Sequence, residues 1–349
     1  MKMLRTQMDL SHFKPKPQLV VKQTFIEKPR FPVIDAHNHL GFFGDNAIEN
    51  LELTQLCDLL DEAGVTHYVD LDGGWGEDIL RKHLEYLAPR IERFQVFGGV
   101  DWSRWPELGN AFPEAAAKRL EVQKGWGAGG LKIWKPFGLQ VKDQFGNLVK
   151  VDDERLDPIW ETAAQHDLPV LIHVADPVAF FDPIDETNER WEELNQHPEW
   201  AFTSPPLPAF TDILNGLMQL VLRHPETTFI GAHVGCYAEN LAWVEGLLDQ
   251  APNFYVDISG RIGELGRQPY TSRKFFLKYA DRILFGLDEG PSIEGYRISY
   301  RFLETYDEYF NYNASEIPQQ GRWYVYGIDL PEGVLKKVYQ ENALRLLRF

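Results

Sequence analysis

Short apolar segments alternate with segments of helical periodicity eight times between residue 31 and residue 349. Each apolar segment has the length of a buried strand, and the segments between them carry apolar residues three or four positions apart. Strands and helices that alternate in this way form a parallel sheet covered by the helices. Eight such units favour a closed (β/α)₈ barrel of the TIM type over an open doubly wound sheet. The sequence therefore predicts an α/β protein built on one barrel.

The predicted elements follow one another without a break in the pattern. The predicted strands are 31–40, 65–71, 94–100, 130–134, 169–174, 228–233, 254–258 and 283–287. The predicted helices are 48–63, 77–87, 113–124, 154–166, 211–223, 239–248, 272–279 and 332–347. Gly64 directly after the first helix is a typical helix stop. No GxGxxG or GxxxxGK[ST] sequence follows any strand, so the phosphate-binding loops of nucleotide-binding sheets are missing.

Four further segments are predicted in addition to the strands and helices of the barrel, which itself spans 31–349 as one domain. Residues 1–30 contain Lys14-Pro15-Lys16-Pro17 and read as an extended arm. Residues 176–210 and 289–331 are too long for ordinary connections and follow strands five and eight. Both leave the carboxyl ends of strands, where barrel active sites form. Each is therefore expected to be a lid or a wall of the site, with subunit packing as the alternative. Residues 141–153 form a predicted hairpin that turns at Gly146-Asn147.

Charge and composition exclude several classes of partner. The net charge of −17 disfavours nucleic acid, because phosphate binding requires a basic face. No apolar stretch is long enough to cross a bilayer, and the N-terminus lacks the apolar core of a signal peptide. Cys57 and Cys236 suggest reduced thiols rather than a disulfide framework. We expect a cytoplasmic homo-oligomer that acts on a small molecule.

Chemically active side chains stand at the ends of five predicted strands. They are His37 and His39 on strand one, Lys132 on strand four, His173 on strand five, His233 on strand six and Asp288 on strand eight. A barrel brings such ends to one mouth, and alternation along strand one predicts that Asp35, His37 and His39 point the same way. Three histidines and a carboxylate that leave room for water are typical of a catalytic metal site, since structural zinc usually has four protein ligands. Asp288 could bind the metal or take a proton from water. A single histidine at a strand end more often only makes a structural hydrogen bond.

The ordered motifs DAHNH, GLKIW, LIHV, GAHVG and FGLDEG resemble those of the amidohydrolase superfamily. More narrowly, they are similar to the amidohydrolase-2 branch, which includes aminocarboxymuconate-semialdehyde decarboxylase, and VYQENALRLL (338–347) is similar to the terminal helix of that branch. The resemblance implies one divalent metal ion, zinc before manganese, with His37, His39, His173 and Asp288 as ligands. It implies that His233 is the acid/base or water-orienting residue, with Asp288 sharing the catalytic role. FGLDEG and HVGC depart from the usual FGSD and HGGG-like motifs of the branch.

The resemblance favours a metal-dependent hydrolase that attacks a C–O or C–N carbonyl bond of a small anionic substrate. The alternatives are a non-oxidative decarboxylase on the same site and a non-catalytic binding protein that keeps the barrel. In binuclear relatives the strand-four lysine is carboxylated and bridges two metals, whereas a plain cation facing the substrate is the other reading of Lys132. Further residues expected to contact the substrate are Trp102, Trp134, Lys135, Arg261, Arg297 and Arg301.

Overall fold

The computed structural model describes residues 8–9, 16–41, 46–74, 77–203, 205–313 and 320–349. Eight parallel strands follow one another in chain order around one sheet. They are β1 Val33–Asn38, β2 Val65–Asp70, β3 Phe94–Gly98, β4 Gly130–Ile133, β5 Val170–Ile172, β6 Phe229–Gly231, β7 Phe254–Asp257 and β8 Ile283–Leu284. Two backbone hydrogen bonds, Ala36 N to Phe285 O and Asp288 N to His37 O, join β1 to the segment after β8. The predicted TIM barrel is confirmed.

Helices cover the outside of the sheet and build the loops at its mouth. The α-helices are Ala47–Asn50, Leu53–Ala63, Glu77–Leu87, Trp105–Leu108, Phe112–Trp126, Asp157–Gln165, Trp191–Gln196, Phe210–Arg223, Leu241–Gln250, Ile262–Leu265, Pro269–Lys278, Ile293–Glu304, Glu332–Lys336 and Asn342–Leu346, and a further short turn of this class is Ala232–Gly235. The 3₁₀ helices are Ala88–Arg93, Trp102–Arg104, Gly109–Ala111, Glu154–Leu156, Val178–Phe180 and Pro198–Trp200. Among the described helices, none is long and apolar enough to cross a membrane.

Most differences from the predicted elements concern their ends. The predicted helix 48–63 is two helices, because the backbone is extended at Leu51 and Glu52. Gly64 ends the second helix with φ 81°, as predicted, and its N–H bonds the carbonyls of Leu60 and Asp61. The predicted helix 332–347 contains a π-helical turn at Lys337–Glu341. His37 lies within β1, whereas His39, His173, His233 and Asp288 follow the ends of β1, β5, β6 and β8.

Apolar side chains fill the barrel and the layer between sheet and helices. The interior group consists of Ile34, Ala36, Val69, Leu71, Phe97, Leu171, Ile230, Ala232 and Leu284, with Ala343 and Leu347 of the C-terminal segment packed against it. A barrel of eight strands is just wide enough for side chains to fill. The interior is therefore a packed core rather than a channel, and it leaves the mouth of the barrel as the place for a site.

The segment 176–210 lies against the barrel and not apart from it. Arg190, which is 1% exposed, makes ion pairs with Glu193 and with Glu264 in the short helix Ile262–Leu265 after β7. At the opposite end of the chain, residues 16–30 have no regular secondary structure but are attached to the body. Thr24 donates two hydrogen bonds to Asp307, from N at 2.6 Å and from Oγ1 at 2.7 Å.

The hairpin predicted at 141–153 is present in reduced form. Lys142 and Leu148 make one antiparallel bridge. Gly146 has φ 80°, which glycine adopts readily and which this turn requires. Both cysteines are free and buried, as expected for reduced thiols.

Candidate metal centre

Four side chains from the ends of β1, β6 and β8 meet at the mouth of the barrel. Asp288 lies at the middle of the group, because both of its oxygens face imidazole nitrogens. The distances are 3.4 Å from Oδ1 to His37 Nε2, 2.9 Å from Oδ1 to His39 Nε2 and 3.5 Å from Oδ2 to His233 Nε2. The histidines are 0–3% exposed. The structure therefore brings together four of the residues predicted from strand ends.

The second nitrogen of each of these rings is held by an oxygen outside the group. The pairs are His37 Nδ1 with Asp257 Oδ2 at 2.9 Å, His39 Nδ1 with Asp72 Oδ1 at 2.8 Å, and His233 Nδ1 with the Ser259 carbonyl at 2.8 Å. Such partners orient a metal-binding imidazole and place the proton on the nitrogen that they hold. All three Nε2 atoms are thereby directed to the centre of the mouth.

His173 joins the group from β5. Its ring is 4.5 Å from that of His233, centroid to centroid, and the two planes are at 75°. His173 Nε2 is buried and has no hydrogen-bond partner within the described parts of the chain; Asp176 Oδ1 lies 3.5 Å away without hydrogen-bond geometry. A buried polar atom without a partner is costly unless something binds it. A metal ion would satisfy this nitrogen.

The donor set fits a divalent metal ion with nitrogen and oxygen ligands. One ligand atom from each of His37, His233 and Asp288 lies within 4.8 Å of the others. This group includes His233, which was predicted to act on protons, and it omits His39 and His173, which were predicted to bind the ion. Imidazole and carboxylate together suit zinc and manganese. The predicted ligand set His37, His39, His173 and Asp288 remains a prediction.

Burial and nearby charges lower the pKa values of two histidines at the mouth, His173 and His233. Burial lowers the pKa of His173 to about 4, because it outweighs the opposing effect of the Asp176 carboxylate; the charges of Lys132 and Lys135 add to burial. Burial has the largest effect on His233 and the charge of Arg261 the next largest; together they hold the pKa of His233 well below its usual value. Both rings are therefore neutral at neutral pH and can donate an electron pair, which metal ligation and proton abstraction both require.

Asp288 Oδ1 and His39 Nε2 form a charged pair at 2.9 Å. Burial raises the pKa of Asp288, but the charge of His37 and the hydrogen bonds of His37 and His39 outweigh burial and bring it well below its usual range. Burial likewise lowers the pKa of His39, yet hydrogen bonds to Asp288 and Asp72 outweigh it and raise the pKa to about 9. A metal that binds His39 has to displace this proton.

Strained backbone accompanies the two residues predicted to be catalytic. His233 has φ 56° and Asp288 has φ 64°, in the left-handed region that side chains rarely adopt. Hydrogen bonds compensate: His233 N donates to Asp257 Oδ1 at 3.1 Å, and Asp288 N donates to the His37 carbonyl at 3.0 Å. Strain of this kind is concentrated at functional sites. Here it turns both side chains into the mouth.

Lys132 is buried beside the centre. Its Nζ lies 3.3 Å from His37 Nε2 and 5.0 Å from the centre of the Trp134 ring. Burial lowers the pKa of Lys132, partly offset by the charges of Asp288 and Asp257. The lysine is thus close enough to a candidate ligand atom for its protonation to compete with the metal.

The residues predicted to contact substrate divide into two groups. Arg261, Lys132, Lys135 and Trp134 line a cavity of about 250 Å³ that also contains the four histidines and Asp288. Trp102 lines a neighbouring cavity.

Arg297 and Arg301 lie away from both cavities. Arg297 donates hydrogen bonds to Glu27 O and Glu62 Oε1, and its guanidinium is 5.3 Å from the Phe25 ring. Arg301 similarly bonds Asp307 and Gln23. The structure therefore places these two arginines outside the cavity that holds the four histidines and Asp288, because their helix faces the extended segment 16–30, and their substrate role stays a prediction.

Asp35 does not share the direction of His37 and His39, contrary to the prediction. Its carboxylate accepts hydrogen bonds from Tyr296 Oη at 2.6 Å and from Asn38 Nδ2 at 2.7 Å. The pairing of β1 with β2 is irregular between Asp35 and Asn38, which breaks the alternation on which the prediction depended. Burial raises the pKa of Asp35 to about 6.

Several polar residues of the site were not predicted, among them Asp72, Asp176, Asp257 and Ser259. Asp72 and Asp257 each stand at or just beyond the carboxyl end of a strand, in DLDGG and FYVDIS. That position was a usable signal, because the ends of all eight strands meet at the same mouth. Asp176 accepts from Lys135 Nζ at 2.6 Å, and its place three residues after His173 was a weaker signal.

Comparison with known proteins gives one family and several similar folds. The amidohydrolase-2 family model matches residues 34–349. Similar solved structures include 2,6-dihydroxybenzoate decarboxylase from Rhizobium, 17% identical with a TM-score of 0.55 over 90% of this chain and 98% of that one. Dihydroxybenzoic acid decarboxylase from Polaromonas sp. JS666 with bound manganese is 18% identical, with a TM-score of 0.54 over 90% and 96%. An amidohydrolase from Burkholderia multivorans is 14% identical, with a TM-score of 0.50 over 90% and 98%. At these identities the likeness shows the fold. No curated protein sequence matches.

Proposed function

Because the chain belongs to the amidohydrolase-2 family, we propose that it is a metal-dependent hydrolase of a small anionic substrate. The observation that carries the proposal is the convergence of His37, His39 and His233 on Asp288. A structural group of this kind would satisfy its own nitrogens, whereas His173 Nε2 has no hydrogen-bond partner among the described residues. Zinc is the first choice of ion and manganese the second.

His37, His39, His173 and Asp288 would hold the ion. Asp257 and Asp72 keep the first two rings in the tautomer that offers Nε2. A bound divalent ion supplies Lewis acidity, which polarises a carbonyl and lowers the pKa of water to about 7. No cysteine lies among these ligands, which agrees with a catalytic rather than a structural site.

His233 would move the proton. Its pKa is low, so the ring is a neutral base at neutral pH, and its Nδ1 is held by the Ser259 carbonyl. Only Nε2 is then available to take a proton from the attacking water and to return it to the leaving group. Asp288, 3.5 Å away, would stabilise the resulting imidazolium.

Arg261 is the residue that best fits an anionic substrate group. Arg261 is 7% exposed. It lines the cavity of about 250 Å³ that the four histidines and Asp288 also line, which we call the metal cavity. Within the described residues it makes one hydrogen bond, from Nη1 to its neighbour Gly260 O at 2.8 Å. The guanidinium has five N–H donors in a fork that matches a carboxylate. Arg261 would therefore position a substrate carboxylate beside the ion.

A non-oxidative decarboxylase is the second candidate. The cations Arg261, Lys132 and Lys135 in one cavity favour a carboxylic acid as the substrate itself. Two similar folds are named decarboxylases of dihydroxybenzoates, one of them with bound manganese. In this reaction His233 Nε2 would take up a proton from solvent and pass it to the carbon that loses carbon dioxide, because the neutral ring carries no proton of its own on that nitrogen.

One assay separates the two candidates. Zinc- or manganese-loaded protein is offered a panel of lactones, esters, amides and hydroxybenzoates while acid release and carbon dioxide release are followed together. Acid release that consumes water supports the hydrolase, and carbon dioxide without water uptake supports the decarboxylase. Arg261→Gln should raise KM for anionic substrates about 10- to 100-fold, the cost of a charge-assisted hydrogen bond. Unchanged KM in that variant would remove Arg261 from substrate binding.

A further inference from the structure

A second and larger cavity adjoins the metal cavity on the side of β1 to β4. Its volume is about 810 Å³, against about 250 Å³ for the metal cavity. Most of its wall is apolar, and we call it the apolar chamber. Its apolar lining includes Ile48, Ile79, Val100, Trp102, Pro106 and Val141. Ligand cavities usually fall between about 300 and 1,000 Å³ and are mainly apolar with a few placed polar groups. By this measure the metal cavity is small for a site and the chamber is of ordinary size.

Three residues belong to both cavities, namely Lys132, Trp134 and Lys135. The Trp134 ring is 5.2 Å from that of His39, centroid to centroid. Asp72 lines the chamber and also holds His39 Nδ1. Only the width of one side chain therefore separates the apolar chamber from His39, a candidate metal ligand.

The junction between the two cavities is charged. Lys132 is 1% exposed, and Lys135 pairs with Asp176 at 2.6 Å while its Nζ is 5.8 Å from the rings of Trp200 and Phe202. A molecule that extends from the ion into the chamber passes both ammonium groups. A carboxylate in the metal cavity, where Lys132, Lys135 and Arg261 lie together, and an apolar body in the chamber would match this distribution of charge.

We propose that the substrate is an amphipathic carboxylic acid whose apolar body occupies the apolar chamber while its reacting end lies at the metal. This inference rests on the proposed function and adds the substrate class. A small polar acid would leave the chamber filled with water against an apolar wall. Burying an apolar body there removes both surfaces from water, which is the main source of affinity for such a ligand.

The proposal predicts how affinity changes with the size of the apolar body. Straight-chain alkanoates from butanoate upwards serve as probes, titrated calorimetrically into zinc-loaded protein below their micelle concentrations. Each added methylene should tighten binding about fourfold, the change that corresponds to about 0.8 kcal/mol per buried methylene. The gain should stop at the length that fills the chamber. Alcohols of equal length should bind more weakly, because they carry no charge for the cationic junction.

A matched pair of variants locates the binding. Ile79 lines the chamber and is 44% exposed on a helix, so Ile79→Asp should fold and place a charge in the chamber. It should weaken the long alkanoates at least tenfold and leave butanoate unchanged. Leu277, 45% exposed on the helix Pro269–Lys278, gives the control Leu277→Asp, which should change neither.

Either of two results would overturn the proposal. In the first, the dissociation constant of the alkanoates does not fall with chain length; in the second, it falls equally in the wild type and in Ile79→Asp. Metal content and turnover are measured on the same preparations. Turnover of short acids with no gain from chain length would remove the chamber from the site and leave the proposed function standing. A gain from chain length in protein that takes up no metal would support the chamber and end the proposed function.

Discussion

Asp257 Oδ2 lies 2.9 Å from His37 Nδ1, and this contact joins two residues 220 positions apart at the mouth of the barrel. The same carboxylate accepts from Ser259 Oγ at 2.6 Å and from the His233 backbone N–H at 3.1 Å through Oδ1. Burial alone would raise the pKa of Asp257, but the charge and hydrogen bond of His37 outweigh it and hold the pKa far below its usual value. One side chain therefore positions both a candidate ligand and a candidate proton carrier.

Asp257→Asn should weaken metal binding about 10- to 100-fold, the usual effect of losing the carboxylate behind a metal-binding histidine. The asparagine keeps the shape of the side chain but removes the charge that fixes the tautomer of His37. Competition with a chelator of known affinity measures the change, and Asp58→Asn on the surface is the control. Equal metal affinity in Asp257→Asn and wild type would show that His37 does not bind the ion.

Removal of the metal should lower the melting temperature by several degrees. The proposed ligands come from β1, β5 and β8, so an ion that binds only the folded chain adds stability by mass action. A thermal melt with and without chelator measures this shift. His173→Ala should abolish the difference between the two melts. A wild-type protein that melts identically in chelator and in excess zinc would contradict the metal site.

His233→Ala should retain one equivalent of metal and lose about two to four orders of magnitude in turnover, the usual size of a lost general acid or base. The reason is that His233 is proposed to carry a proton and not to ligate. Elemental analysis of the purified variant, beside its kcat, separates these roles. Loss of the metal from His233→Ala would instead make His233 a ligand, together with His37 and Asp288, whose ligand atoms lie within 4.8 Å of its own. Two equivalents in the wild type that fall to one in both His233→Ala and Lys132→Ala would mean a binuclear site.

Arg190→Met should destabilise the fold by about 3–5 kcal/mol, because it leaves Glu264 buried without its partner. Arg190→Met with Glu264→Gln should recover much of this loss. Chemical denaturation gives the free energies of unfolding. Arg322→Met, which removes an ion pair with Glu192 between half-exposed side chains, is the control and should cost less than about 1 kcal/mol.

The effect of Arg190→Met should also depend on pH. Burial raises the pKa of Glu264, but the charges of Arg190 and Arg261 and the hydrogen bond outweigh it, so the pKa lies below its usual value. A carboxylate whose pKa is lower in the folded state adds stability at neutral pH, and this stability is lost as the pH falls through the folded value. The difference between wild type and Arg190→Met should therefore shrink in acid. A difference that is constant or grows on acidification would contradict the ion pair.

The eight-unit barrel and the family could be recognised from the sequence because both depend on local patterns. An apolar run such as Val170–Ile172 forms a strand wherever both faces are buried, and Gly64 ends its helix through a conformation that its own backbone allows. The same patterns made candidates of His37, His39, His173, His233 and Asp288, since each lies at or after the end of a recognisable strand and parallel strands place their ends together.

The contacts behind these residues depend on how the barrel closes. Asp257 and Asp72 are ordinary strand-end carboxylates in the sequence, and only the register of neighbouring strands decides which imidazole each one reaches. Asp35 has the same spacing from His37 as His39 has, yet an irregular pairing of β1 with β2 turns it to Tyr296. In the sequence, Arg297 and Arg261 are equally good candidates for binding an anionic substrate. In the structure, Arg297 lies on a helix that directs it to Glu62, whereas Arg261 follows β7 and lines the metal cavity. Periodicity sets which residues form a strand, whereas side-chain partners from distant segments are set by closure and register, and these are properties of the whole chain.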